Sequence, residues 1–320
     1  MANARDTAVL IAAYNAAQTL SRAVESALAQ PETAEVCIVD DGSRDDTLAQ
    51  AQAWAARDPR VIVLVQPNAG PGAARNSAIA ATHAPWLAVL DADDYWLPGR
   101  LADLFSHGDA DFICDALIRV PEHADVPTQA TRPATATPLS FEAFVLGNLG
   151  ALKGPLDLGF LKPVMRRSFL DAHSLCYRPE LRLGEDYEMY ARALALGARF
   201  KLTPPAGYVS VERAGSLSRD HGEEELSRLR DCDRDLALIR PLRLAERRAL
   251  ARHTTSVDCR LQWVRLIRAV KTGDLPTALS TLRSPQVALY LAARLAEQVW
   301  LRSARLIRSR LPVSRPTVRA

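Results

Sequence analysis

Four short apolar runs, each followed by a stretch with helical spacing, most narrowly constrain what this chain can fold into. The runs are TAVLIAA (7–13), the start of AEVCIVDDGSRDD (34–46), RVIVLVQ (60–66) and WLAVL (86–90). Runs this short and this continuously apolar suit strands buried on both faces. Between them, Leu20, Val24, Ala27 and Leu28 recur at helical intervals, TLAQAQAWAARD reads as a helix stopped near Pro59, and AARNSAIAAT reads as a third helix. Strand and helix in alternation predict an α/β fold with a mostly parallel central sheet covered on both sides. In such sheets ligands bind beyond the carboxyl ends of the strands.

Those ends are acidic here. WLAVL runs straight into Asp91, Asp93 and Asp94, three carboxylates in four positions. Mutual repulsion and desolvation oppose such crowding unless positive charge is supplied. Asp91 and Asp93 have the spacing to face one small ligand, and hard oxygen donors of this kind suit Mg²⁺ or Mn²⁺ shared with phosphate oxygens. Asp94 alone reads as a cap for a helix starting near Leu97-Pro98. A second acidic turn, VDDGS (39–43), ends the second strand and brings Asp41 to the same edge. NAGPGAARN (68–76) offers small residues for close backbone approach, followed by Arg75, but its G-x-G follows the third strand and lacks a third glycine. That is a weak dinucleotide fingerprint. GEDYE (184–188) opens an amphipathic helix with Glu185 and Asp186, which serve either as ordinary dipole complements or as a general base.

Residues 109–120 read as a further strand, and residues 121–138, with four prolines, as a loop that is either a lid or a disordered insertion. From about 224 onward the pattern is helical only. The division expected is 1–223 for the α/β domain and 224–320 for an Arg-rich helical region.

Charge separates the same two parts. From Arg240 onward there are 17 Lys and Arg against 4 Asp and Glu, leaving 23 against 33 for the rest, although the whole chain is only +3. In EQVWLRSARLIRSRL (297–311), Trp300, Ala304, Ile307 and Leu311 share a helical face while arginines occupy other sides. This pattern fits a helix lying on an anionic membrane surface, and LQWVRLIRAVK (261–271) has similar content. Few aromatics interleave the arginines, so nucleic acid is not the expected partner. No run is long and apolar enough to span a bilayer. The five scattered cysteines contain no C-x-x-C pair and suggest reduced thiols in a cytoplasmic protein.

Taken in order, LIAAYNAAQTL, IVDDGSRDDT, GPGAARNSAI, LDADDYWLPGRL and LGEDYEMYARAL resemble family 2 glycosyltransferases with the GT-A (Rossmann-like) fold, over roughly residues 7–220. The stretches GFLKPVMRRSFLDAH and LRLGEDYEMYARALALGARF look most like bacterial succinoglycan-type β-glucosyltransferases of exopolysaccharide synthesis. The resemblance implies an inverting transfer of a hexose, glucose in β linkage, from a UDP-sugar to a lipid-linked saccharide at the inner face of the cytoplasmic membrane. It implies that Tyr14, Asn15 and Asp41 hold the uracil and that Arg75 contacts the nucleotide. Asp91 would then meet the ribose, Asp93 the divalent metal on the diphosphate, and Asp186 would be the base. Where many relatives carry a histidine near the diphosphate, SVERAGSLS (210–218) places Arg213. A nucleotidyltransferase, an NAD-dependent oxidoreductase or an inactive nucleotide-binding scaffold are the alternatives.

Overall fold

The computed structural model describes residues 5–122, 135–149, 158–212, 222–282 and 284–310. In chain order the elements are β1 (Thr7–Ala13), α1 (Leu20–Leu28), β2 (Thr33–Asp40), α2 (Thr47–Ala55), β3 (Val61–Val65), α3 (Pro71–Ala81) and β4 (Trp86–Val89). They continue with β5 (Tyr95–Trp96), α4 (Arg100–Ser106), β6 (Phe112–Asp115), β7 (Ile118–Pro121), β8 (Thr137–Pro138), α5 (Phe141–Leu146) and β9 (Val164–Arg166). Then come α6 (Arg167–Ala172), α7 (Glu185–Ala195), β10 (Phe200–Thr203), β11 (Tyr208–Glu212), α8 (Glu223–Leu238), α9 (Leu244–Thr272), α10 (Leu275–Ser280) and α11 (Pro285–Arg310).

The central sheet has the order β3-β2-β1-β4-β9-β6-β10-β8. Its first four strands are parallel, as the repeating apolar runs predict. Strands β1, β2 and β4 are buried almost throughout, because helices cover both faces. One core, with Val9, Ile11, Ile38 and Ala88, lies under α1, α2 and α4. The other, with Leu10, Val39, Leu87 and Val89, lies under α3, α5 and α7. Leu229, Leu236, Leu250, Val257 and Leu261 of α8 and α9 belong to this second core.

Two features depart from the sequence pattern. Residues 109–120 form two strands in different sheets: β6 joins the large sheet, while β7 joins β11 and β5 in a small one. The break has a physical cause at Asp115, whose Oδ2 accepts from the backbone amides of Ala206, Gly207 and Tyr208. Its other oxygen takes two donors from the fully buried Arg100. The chain therefore turns away at Asp115 toward the small sheet. The second departure is β9, only three residues long, which wedges antiparallel between β4 and β6. A segment that short carries no readable period. The expected loop 121–138 lies mostly outside the described residues, and its end supplies β8, paired antiparallel with β10.

Candidate active site

Asp91 lies just past the end of β4, where Leu90 still donates to the carbonyl of Leu10 on β1. Asp186 sits in the first turn of α7, on the same rim of the sheet. That helix starts after Gly184, whose φ of +74° places it in the left-handed region that favours glycine. A Cβ on Gly184 would fall 2.6 Å from Cδ1 of Leu229, so α8 packs directly against the entry to α7.

Two cations knit this rim. Arg75, on α3 and almost fully buried, donates from Nη2 to Asp91 Oδ1 at 2.9 Å. Its Nη1 donates to Asp186 Oδ1 at 2.9 Å and to Glu185 Oε1 at 3.1 Å. Lys162, just before β9, donates from Nζ to Asp91 Oδ2 at 3.0 Å and to Asp186 Oδ2 at 2.6 Å. Tyr190 adds a hydroxyl donor to Asp186 Oδ1 at 3.3 Å. Three carboxylates thus share two cations.

The titration behaviour follows from these contacts. Burial works to raise the Asp91 carboxyl, but Lys162 and Arg75 prevail and hold it down at about 2. Burial opposes charging Lys162 and Arg75 as well, yet Asp186 and Asp91 raise both above their ordinary values. Glu185 is raised, first by burial and then by the neighbouring Asp186 charge. Asp94 is pushed up to about 8 by burial and by repulsion from Asp91 and Asp93. It does not cap a helix: α4 starts at Arg100 behind the left-handed Gly99. Asp94 Oδ1 instead accepts from the Val211 amide at 2.9 Å, fastening β11 of the small sheet to the acidic turn.

The remaining predicted residues occupy the neighbouring strand ends. Asp41 is buried and spends its carboxylate on the loop after β3: Oδ1 accepts from Gln66 and the Ala69 amide, Oδ2 from the Gly70 amide. Asn15 is exposed, with φ +51°, and its Oδ1 accepts from the Arg44 amide while its own amide donates to Ser43. Tyr14 beside it is 39% exposed. Asp93 is half-buried, and its carbonyl accepts from Arg22 at 3.5 Å. Arg213 lies outside the described residues. Arg75 is turned into the carboxylate cluster, with its guanidinium 5.3 Å from the Tyr177 ring centre.

Lys162 and Tyr190 join the cluster without a role assigned from the sequence, and Glu185, one of the two acids weighed as a base, joins it through Arg75. A signal for Lys162 was present, since it is the sole charge in the otherwise apolar LGFLKPVM (158–165), and a buried cation requires carboxylate company.

Among the described residues no group of three or more His, Cys, Asp or Glu side chains is arranged to hold a metal ion by itself. Both Asp91 oxygens already carry cationic donors. Asp93, two residues on and half-buried, carries a hard carboxylate oxygen, the donor type that suits an ion sharing its shell with a diphosphate and water.

A mostly parallel sheet of this order, flanked by helices and joined by a small second sheet, has the architecture of the GT-A glycosyltransferases. Residues 8–172 match the family described as glycosyl transferase family 2, and the chain belongs to that family. It is 45% identical over 264 residues to the succinoglycan biosynthesis protein ExoU of Rhizobium meliloti, covering 80% of this chain and 77% of that one. It is 40% identical over 225 residues to ExoO of the same organism, also named for succinoglycan biosynthesis, covering 67% and 63%. Among solved structures, Staphylococcus aureus TarS in complex with UDP-GlcNAc superposes with a TM-score of 0.55 at 19% identity, over 85% of this chain and 89% of that one. That likeness supports the fold.

Proposed function

We propose that the chain is an inverting hexosyltransferase that moves glucose in β linkage from a UDP-sugar to a lipid-linked saccharide of the succinoglycan type. The observation that carries this reading is the pairing of Asp91 with Asp186 across Arg75 and Lys162, which sets a donor-side carboxylate against a helix-borne one. The names of the two Rhizobium relatives favour the succinoglycan setting. The family resemblance favours UDP-glucose.

In this reading Asp41, Asn15 and Tyr14 border the uracil and Asp91 meets the ribose. Asp41 acts there through the loop it fastens. Asp93 would hold Mg²⁺ or Mn²⁺, which when bound offsets the charge of the departing diphosphate. Arg213 belongs near the same phosphates. Asp186 takes the proton from the acceptor hydroxyl as that oxygen attacks the anomeric carbon from the face opposite the leaving group. A sugar hydroxyl is a poor acid until attack is under way, so placing the base within hydrogen-bond reach matters most. One displacement converts an α-linked donor into a β-linked product with no covalent sugar–enzyme intermediate.

Residues 1–223 carry this chemistry in our reading, and the helices after 224 lead to an anionic membrane surface at the inner face of the cytoplasmic membrane. No helix among the described residues is long and apolar enough to cross a membrane. Leu275, Leu279, Leu289 and Trp300 on α10 and α11 are each at least two-thirds exposed, which favours surface attachment there. The face of α9 formed by Leu261 and Leu266 is instead packed inside the protein. Most of the basic face of residues 297–311 falls among side chains outside the described residues.

The test is a panel of UDP-sugars assayed for release of UDP with Mg²⁺, Mn²⁺ or chelator, using the native chain and Asp93→Ala. Turnover of UDP-glucose that needs the metal and falls with Asp93→Ala is expected. Metal-independent turnover, or binding of UDP without any turnover, would overturn the reading, the latter in favour of a nucleotide-binding scaffold.

A further inference from the structure

Resting on that transferase reading, we propose that Lys162 is a positioning residue that locks the donor-side Asp91 and the base Asp186 into one rigid unit. Its ammonium contacts Asp91 Oδ2 and Asp186 Oδ2 at once. A carboxylate has about four acceptor directions. Arg75 and Tyr190 occupy two at Asp186 Oδ1, and Lys162 takes a third at Oδ2. What remains is one lone-pair direction on Oδ2, aimed by Lys162, for the acceptor hydroxyl. Without the ammonium the carboxylate can swivel, and a base misplaced by about 1 Å loses on the order of a hundredfold in rate.

The fold itself delivers this lysine. β9 pairs with β4 with Val164 opposite Ala88, and continuing that antiparallel register sets Lys162 beside Leu90, next to Asp91. Its backbone is held as well, because the carbonyl of Lys162 accepts from Arg100 Nη2 at 2.9 Å. Arg100 is in turn fixed by Asp115, and all of its side chain is buried. The short wedge between β4 and β6 is thus anchored from below and presents its cation to both carboxylates above. Arg75 also touches both, but it approaches from α3 through the opposite oxygens, so the two cations are not redundant.

The experiment compares the native chain with Lys162→Met, Lys162→Arg, Asp186→Asn and the double variant Lys162→Met/Asp186→Asn. The readouts are UDP release from UDP-glucose and calorimetric binding of UDP with Mn²⁺. Lys162→Met should lower kcat about a hundredfold while UDP affinity changes less than about threefold, and Lys162→Arg should recover part of the loss. The double variant should be no slower than Asp186→Asn, because residues acting as a unit are not additive. Multiplying losses in the double variant, or a kcat for Lys162→Met equal to native, would overturn the inference while leaving the transferase reading intact. So would a loss of UDP binding in Lys162→Met that Lys162→Arg does not restore. A native chain that binds UDP but never releases it from UDP-glucose overturns the transferase reading, and this inference with it.

Discussion

Two buried ion clusters lie within one sheet of each other and answer to different needs. In the first, Arg100 and Asp115 are both fully buried, and Asp115 accepts five hydrogen bonds, two from Arg100 and three from backbone amides. One charge meets one charge, and the carboxylate has no acceptor capacity to spare. In the second, Arg75 and Lys162 serve Asp91, Glu185 and Asp186, so the direct contacts leave one negative charge over. Burial is common to both. The difference is saturation: a balanced, fully bonded pair holds the fold, whereas an unbalanced one on a rim retains capacity for a ligand.

The comparison breaks most sharply at Asp186. Asp186→Asn keeps the shape and removes the proposed base, so turnover should fall by roughly a thousandfold or more with UDP binding kept. Near-normal transfer by that variant would show that the acidic rim and the sealed pair are not functionally distinct. Next comes Asp115→Ala, which strands the Arg100 charge and unties three amides. Urea unfolding should report a loss of about 3–5 kcal/mol, with catalysis failing only because the protein unfolds. A stable, inactive Asp115→Ala would move this pair into the chemistry. A third, smaller effect concerns Trp300 and Leu279. Changing both to Ser should weaken sedimentation with vesicles rich in anionic lipid while leaving turnover in solution unchanged. Point changes serve better than truncation near residue 240, which would strip Leu250, Val257 and Leu261 from the core.

The smallest effect is at the joint between α8 and α9. Hydrogen bonds from Arg240 first, and then Arg243, outweigh the burial penalty and hold Glu246 at about 2, below its ordinary 4.5. A depressed acid stabilises the folded state above its unfolded pKa and loses that contribution as pH falls toward the folded value. Thermal midpoints of the native chain should therefore decline from about pH 4.5 toward 2, and Glu246→Gln should flatten part of that slope.

The parallel half of the sheet could be read from the chain because buried strands need continuous apolar runs and their helices need a period. WLAVL was legible for that reason, as was the placement of Asp91 just past its end. The small sheet was not, since β5 and β7 are short and their order depends on Asp94 and Asp115 bonding to distant amides. Asp94 looked like a helix cap because capping is decided locally, while its actual partner is 117 residues away in sequence. Lys162 was visible as an isolated charge, but its two partners come from β4 and α7, and only the wedge of β9 brings them together.

The closeness of Leu229 to Gly184 has a consequence for how such enzymes can be recombined. The helix that follows the last sheet strand packs against the turn from which α7, and with it Asp186, begins. A chimera that imports a foreign tail beginning at α8 should then displace Asp186, with every rim side chain retained, unless the residue replacing Leu229 still fits against Gly184. The turn before α7 and the residue at position 229 should consequently travel together when segments are exchanged between relatives.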